Sequence, residues 1–445
     1  MPSDLETPLT PEASARLRRP AVLRPVKTAA LIFAGKGARE GYLAGLDQAV
    51  ISAANFLATV LLARQISPTE LGVYGVGFTT LRLIRSIQDG ITIQPLNTFG
   101  AAMGIEDFKR YATNTAAIQV IFALVSAACA ALGGLILIRT GNDTAGPALF
   151  SLWFAFLFTQ LQEYIRRMLY TRSQVFNAVI NTILANAARL VLLLIWADQG
   201  ELNGIAGLNA IAWGSLIALG PGLWQTRSFW TFRFSNLMGT WKMNWFFGRW
   251  ILGGSLANWV SVEFYPILTA GMISFAAAGA YRALQNLVAP VHTLLRATDT
   301  FFTPRASRIF DEKGLPALSR TLGLIYLASG IPLLAVLAIG ILFPAPLLHL
   351  LYGDTYLEYS GGMLLMSIFY TLWFAYWPLQ TALKAARFSR PIFAANLAAM
   401  ATMFTVGVWM IHRWGVYGTI AGQALNALIV AIVLWIAWLV LQRKT

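Results

Sequence analysis

The chain has 445 residues, of which 57% are hydrophobic and only 12% charged, with a mean hydropathy of +0.62. That balance excludes a water-soluble globular protein, and the apolar residues gather in runs of about 20, the length a helix needs to cross roughly 30 Å of hydrocarbon. Lys plus Arg number 33 against 19 Asp plus Glu, a net charge of +14, but most of these cations sit in short links between apolar runs, which speaks for membrane topology and anionic lipid rather than nucleic acid.

The first 40 residues are polar and basic, and their apolar patch, Ala29 to Ala34, is too short for a signal-peptide core; they read as a cytoplasmic tail, with 28–40 lying along the interface. Twelve spans follow, at 42–64, 72–93, 113–138, 147–165, 176–197, 204–224, 250–273, 279–302, 320–343, 361–381, 391–411 and 417–440. With both termini cytoplasmic, 25 of the 33 basic residues fall in cytoplasmic segments, whereas the opposite loops hold only Arg64, Arg139, Arg282 and Arg413. The expected organisation is a tail (1–40), a six-helix lobe (41–224), a cytoplasmic link (225–249) and a second six-helix lobe (250–445). Trp241, Trp245 and Trp250 form an interfacial belt before the seventh span. The lone Cys129 lies in an apolar run and permits no internal disulfide.

Three landmarks recur at nearly constant offset. Gly72-Val73-Tyr74 is echoed by Gly279-Ala280-Tyr281, Pro95 by Pro304, and Gly204 to Gly207 by Gly415 to Gly418; Ala54-Asn55-Phe56 has a looser echo in Ala257-Asn258-Trp259. Together they predict two parallel six-helix repeats. On these residues the chain resembles the polysaccharide transporter and O-antigen flippase (Wzx-like) families of the multidrug/oligosaccharidyl-lipid/polysaccharide exporter superfamily. The stretches that carry the resemblance are GLDQAVISAANFLATVLLARQISPTELGVYGVGF (45–78), AAGAYRALQNLVAP with FFTPRAS (277–307), LLHLLYGDTYLEYS (347–360) and WGVYGTIAGQALNA (414–427). The resemblance implies an all-α, two-lobed flippase of the bacterial inner membrane. Its central cavity would expose an undecaprenyl-pyrophosphate-linked glycan to each side in turn, with membrane lipids and other polysaccharide-assembly membrane proteins as partners.

Charges at membrane depth mark candidate sites. A charged side chain at mid-bilayer costs about 2.5–3.5 kcal/mol on the insertion scale, so Arg82, Arg85, Arg189 and Arg296 must face an interior. Thr79, Arg82, Ser86 and Asp89 make one polar stripe on span two, with Arg85 a step around it; Arg282, Gln285, His292, Arg296 and Asp299 make another on span eight. A cavity between the lobes would receive a cationic stripe from each side. Arg82, Arg85 and Arg296 are the candidate substrate cations, because paired guanidinium forks suit pyrophosphate oxygens. Pairing of Arg85 with Asp89 and of Arg296 with Asp299 is the competing arrangement. Glu263 either carries a coupling ion or neutralises an arginine; Asp89, Asp299 and His292 share that ambiguity. Arg189 reads as a hydrogen-bonding brace, and Asp47 and Gln48 as a gate or a local pair.

No P-loop motif is present, and His292, His349 and His412 lack metal-ligand spacing, so neither a cofactor nor a metal is expected, and no enzyme activity. Two alternatives remain: a cation-coupled drug exporter of the same superfamily, which should favour a carboxylate-rich cavity, and a membrane glycan polymerase or ligase, whose chemistry would have to lie in the short segment 344–360.

Overall fold

The computed structural model describes residues 36–444 apart from 232, 233, 235 and 389; the side chains at 36–38, 293, 296–301, 303–305, 307 and 444 lie outside it. The basic tail, with residues 28–35 of the expected interfacial stretch, therefore falls outside the described residues, and Lys36 to Glu40 are continuous with the first helix.

The first lobe is built from α1 (Lys36–Gln65), α2 (Pro68–Gln88), α3 (Ile105–Arg139), α4 (Ala145–Thr171), α5 (Val175–Asp198) and α6 (Gly204–Gln225). α2 continues as two π-helical turns, Asp89–Ile93 and Leu96–Gly100, on either side of Pro95. The sharp joints are capped as their sequences dictate. Ser67 accepts the Glu70 amide ahead of Pro68, and Asn203 accepts the Ala206 amide.

The second half contains α7 (Leu237–Glu263), α8 (Tyr265–Met272), α9 (Phe275–Leu287), α10 (Ala289–Leu342), α11 (Pro344–Tyr352), α12 (Gly362–Ala385), α13 (Arg390–Thr402) and α14 (Val408–Lys444). Gly314 (φ 71°) and Gly415 (φ 55°) adopt left-handed backbone inside α10 and α14, and each reverses the chain between two membrane passes. With α7 and α8 counted as one broken pass, the described residues make the twelve expected crossings. Among the described residues, seven helical segments qualify as spans on length and apolarity alone. The passes that fail that test include α2, with Arg82 and Arg85, and α4, with Glu163, Arg166 and Arg167. Such helices are tolerated only when protein covers their polar face.

α3 packs on α4, α4 and α5 on α6, and α1 on α5; in the other half α12 packs on α10 and α14, and α8 on α14. The main seam between lobes is α2 against α9. There the repeat becomes visible as symmetry. A Cβ on Gly72 would lie 1.7 Å from the Phe275 carbonyl oxygen, and one on Gly279 would lie 2.0 Å from the Pro68 carbonyl oxygen. The two contacts are reciprocal, as a pseudo-two-fold axis between the helices requires. The glycine pair entering the sixth and twelfth passes is less equivalent: Gly207 packs on Tyr74 and Leu62, whereas Gly418 packs on the carbonyl of Met410.

The stretch 225–249, expected as a link, is helical from Leu237. Its Thr240 and Asn244 accept bonds from Asn114 (3.2 Å) and Tyr111 (2.8 Å) of α3. The far end of α7 belongs to the second half. Pro266 has no amide proton to return to Val262, and Gln423 supplies the missing donor to the Val262 carbonyl at 2.8 Å, while Asn426 donates to that of Ser261 at 2.9 Å. The break between α7 and α8 is thus satisfied from α14, and Glu263 sits at it.

Candidate functional site

Between the lobes lies a cavity of about 440 Å³, bounded by α1, α2, α4, α7, α9 and the start of α10. Among the described residues, five arginines line it (Arg82, Arg85, Arg166, Arg167 and Arg282), with two carboxylates, Asp89 and Glu263. The rest of the wall is largely neutral and polar, including Gln48, Ser52, Asn55, Asn258 and Gln285.

The cations are held unequally. Arg82 meets Glu263 at 2.6 Å across the lobes, so the arginine-neutralising role for Glu263 is the one the geometry displays. Arg85 does not pair with Asp89; it reaches Glu163 of α4 at 2.5 Å. Glu163 is the centre of a buried network. Arg166 grips it with two nitrogens at 2.8 and 2.9 Å, and Arg167 donates at 2.7 Å. Arg166 reaches on to Asp47 of α1 at 2.5 Å, which makes Asp47 a pair partner; Gln48 bonds Ser52 at 3.2 Å. A single carboxylate thereby gathers three guanidinium groups, an arrangement favourable only because the lattice of hydrogen bonds offsets the cost of desolvating the charges.

Arg282 has no carboxylate within ion-pair distance among the described residues. It donates to Gln285 at 3.0 Å and lies 4.7 Å over the ring of Phe78. The sequence assigned it to an outer loop as well as to the stripe on span eight; the structure puts it in the cavity wall. His292 also lines the cavity, its Nε2 2.6 Å from the Tyr370 hydroxyl and its ring edge-on to Trp373. The side chains of Arg296 and Asp299 lie outside the described residues. Arg189 donates to Asn55 at 2.8 Å and to the Tyr74 hydroxyl at 2.5 Å, tying α5 to α1 and α2 as a brace.

Of the two expected stripes, the one on α2 lines the cavity through Arg82, Ser86 and Asp89, as do Arg282, Gln285 and His292 of the other; the side chains of Arg296 and Asp299, which complete that second stripe, lie outside the described residues. Among the described residues, four of the five lining arginines come from α2 and α4, and the α7 to α10 wall contributes Arg282 and Glu263. The residues that sequence reasoning missed are Glu163, Arg166 and Arg167. Their signal was the i, i+3, i+4 spacing in Glu163-Tyr-Ile-Arg166-Arg167, hidden because span four was expected to end at 165 whereas α4 runs to Thr171. Among the described residues no group of His, Cys, Asp or Glu is arranged to hold a metal ion.

Two broken or kinked six-helix halves around a central polar cavity define a multi-pass membrane transporter fold. No protein-family profile and no curated protein matches the sequence, but solved structures do. The chain is similar to a multidrug resistance MATE family transporter of the MOP superfamily in its inward-facing conformation, at 14% identity and a TM-score of 0.71, over 88% of this chain and 94% of that one. Against the outward-facing conformation of a multidrug resistance MATE family transporter the TM-score is 0.63, over 92% and 96%, again at 14% identity. A MOP superfamily transporter from Pyrococcus furiosus, described as having a binding pocket of reverse polarity that suggests a different function, matches at 14% identity and a TM-score of 0.65 over 91% and 94%. The fold is thus that of MOP superfamily transporters, twelve helices in two lobes, and the neighbours are transporters rather than enzymes.

Proposed function

We propose that the chain is a lipid-linked oligosaccharide flippase of the bacterial inner membrane, moving a polyprenyl-pyrophosphate glycan outward by alternating access. The observation that carries this reading is the surplus of cations at the cavity wall among the described residues: five arginines line it with Asp89 and Glu263, and with their partners Glu163 and Asp47 counted one positive charge still remains, which suits an anionic cargo. A cavity of about 440 Å³ accepts a drug-sized headgroup, so the pyrophosphate and nearest sugars enter while the polyprenyl chain stays in the bilayer. On the charge bias of the links, the close-packed α2–α9 glycine seam lies at the periplasmic end, which fits a cavity shut on that side.

The second reading, a cation-coupled drug exporter, is favoured by the likeness to multidrug resistance MATE transporters. Fold alone does not fix cargo charge, as the Pyrococcus neighbour with its reverse-polarity pocket illustrates. A polymerase or ligase would need chemistry in the segment 344–360, where the described grouping is an exposed His349–Asp354 contact at 3.4 Å.

The deciding experiment uses purified protein in proteoliposomes, scoring flipping of a fluorescent undecaprenyl-pyrophosphate-linked glycan beside efflux of a lipophilic cation. Flipping that is lost in Arg82→Ala and Arg85→Ala supports the flippase. Cation efflux with no glycan flipping establishes the drug exporter. In cells lacking the gene, unflipped single repeat units on lipid are expected; exported but unpolymerised units would point to a polymerase.

A further inference from the structure

The network around Glu163 leaves an uneven supply of donors. Arg166 spends Nε and both terminal nitrogens on Glu163 and Asp47, and its side chain is only 6% exposed. Arg85 spends one terminal nitrogen on Glu163 and is 44% exposed; Arg167 spends its Nε and is 33% exposed. The remaining guanidinium edges of these two line the cavity. Three arginines against Asp47 and Glu163 leave one positive charge in excess. The two partly exposed guanidinium groups thus offer spare, positively charged donors to the cavity.

The nearest carboxylate within the protein feels these arginines and offsets their charge without taking those donors. Asp89 lines the same cavity, one turn beyond Arg85 where α2 passes into its first π-helical turn, yet it makes no ion pair among the described residues, and its Oδ1 is buried without a hydrogen-bond partner. A buried acceptor left unmet beside donors left unspent is the complement of a ligand that carries both functions. A π-helical turn at this place is also a frequent mark of a functional position in a helix.

We propose that Arg85, Arg167 and Asp89 form a subsite for a glycosyl phosphate: the two guanidinium edges take the phosphate oxygens, and Asp89 accepts the sugar hydroxyl next to the phosphorylated carbon. Arg166, Glu163 and Asp47 are positioning residues that fix the two arginine edges. This rests on the anionic-cargo reading above and adds to it which atoms are recognised, at the junction of sugar and phosphate.

The test is calorimetric binding to the full-length protein in nanodiscs with four probes: inorganic pyrophosphate, glucosyl phosphate, 2-deoxyglucosyl phosphate, and glucosyl pyrophosphate carrying a short isoprenyl chain. A hydrogen bond to a charged group gives about tenfold or more in affinity, so glucosyl phosphate should bind about tenfold tighter than its 2-deoxy analogue. Asp89→Leu should erase that difference while leaving pyrophosphate binding in place, and Arg85→Gln with Arg167→Gln should weaken every probe. The comparison of the two sugars needs only the native protein, so it stands even if a variant does not fold. Equal binding of the two sugars by the native protein overturns the subsite and leaves the anionic-cargo reading intact, provided pyrophosphate binds. Failure of all four probes overturns that reading itself. The isoprenyl probe separates sources: tighter binding than glucosyl phosphate assigns the site to a membrane lipid headgroup, and equal binding to a soluble sugar phosphate.

Discussion

Arg82 of α2 and Glu263 of α7 form an ion pair at 2.6 Å that spans the two lobes inside the cavity. Each belongs to the helix its lobe contributes to the centre, and Glu263 stands where α7 breaks before Pro266. The pair therefore couples the shape of a broken helix to the closure of the lobes. Separating the lobes would require both charges to find new partners or water.

The first prediction follows from that pair. Arg82→Ala should abolish transport and Glu263→Ala should slow it severalfold, while the protein remains inserted and abundant. The exchange Arg82→Glu with Glu263→Arg should restore part of it. Because Arg82 is about a third exposed, the coupling energy in a double-mutant cycle on stability should be small, about 1 kcal/mol or less. Transport by either single variant at the native rate would show that the pair has no part in the cycle. Arg82→Lys should rescue only in part, since Lys keeps the charge and loses the fork.

A second prediction concerns the glycine seam. Replacing Gly72 by Ala puts a methyl 1.7 Å from the Phe275 carbonyl oxygen, so α2 and α9 must part by about 1.5 Å or more. The expected cost is about 1–3 kcal/mol in the state that closes this end, with the opposite state favoured. Cysteine accessibility near Tyr74 and Tyr281 should rise in Gly72→Ala and Gly279→Ala. Gly253→Ala and Gly254→Ala, where nothing lies within 4 Å of the added carbon, should leave accessibility unchanged.

Much of this architecture could be read before any coordinates. Each expected span lies on helix because bilayer thickness sets a minimum length, although helices run on past several of them, starting at Leu237 rather than 250 and at Ile105 rather than 113, and the Gly72/Gly279 repeat proves to be a reciprocal contact. Arg82, Glu263 and Arg189 were recognisable because charge at membrane depth is costly enough to demand a reason. Their partners were not, since the sequence carries no record of which distant helix faces which. Arg166 and Arg167 were lost for another reason: hydropathy ends span four where the charges begin, but an ionic network lets α4 continue into the protein interior and turns apparent topology signals into part of the cavity wall.

The brace around Arg189 gives a contrasting prediction. Arg189 is buried and holds Asn55 and Tyr74, so Arg189→Leu should lower the melting temperature and the amount of inserted protein, with transport per molecule nearly unchanged. Removing one side of such a buried bond set costs about 1–3 kcal/mol for each group left unmet. Normal stability together with lost transport would move Arg189 from the framework to the site.

Topology supplies a fourth prediction. Reporter fusions after Thr445 and in the connection 226–236 should read cytoplasmic, and one near Asp354 periplasmic, because 25 of 33 basic residues fall on the side assigned to the cytoplasm. Arg166 and Arg167 prove to be paired inside the protein, yet discounting them leaves the bias in place. Opposite signals at either pair of sites would reverse the assignment of the glycine seam to the periplasm.

The last prediction concerns energy. The sequence holds no P-loop motif, and under the proposed function a gradient or consumption of the cargo outside would drive flipping. Glu263 is the carboxylate that links the lobes, and neutralising it would release Arg82 into the cavity, where an anionic cargo competes for the same guanidinium. If a proton or sodium ion acts at Glu263, the flipping of a fluorescent lipid-linked glycan in proteoliposomes should respond to an imposed pH or sodium gradient, and Glu263→Gln should flip without responding. If Glu263 serves only to neutralise Arg82, Glu263→Gln should reduce stability or assembly at every pH and leave the response of any surviving molecules unaltered. A native protein that ignores pH, sodium and voltage gradients alike would sink the coupling hypothesis, and export would then be facilitated flipping drawn forward by removal of the glycan from the outer leaflet.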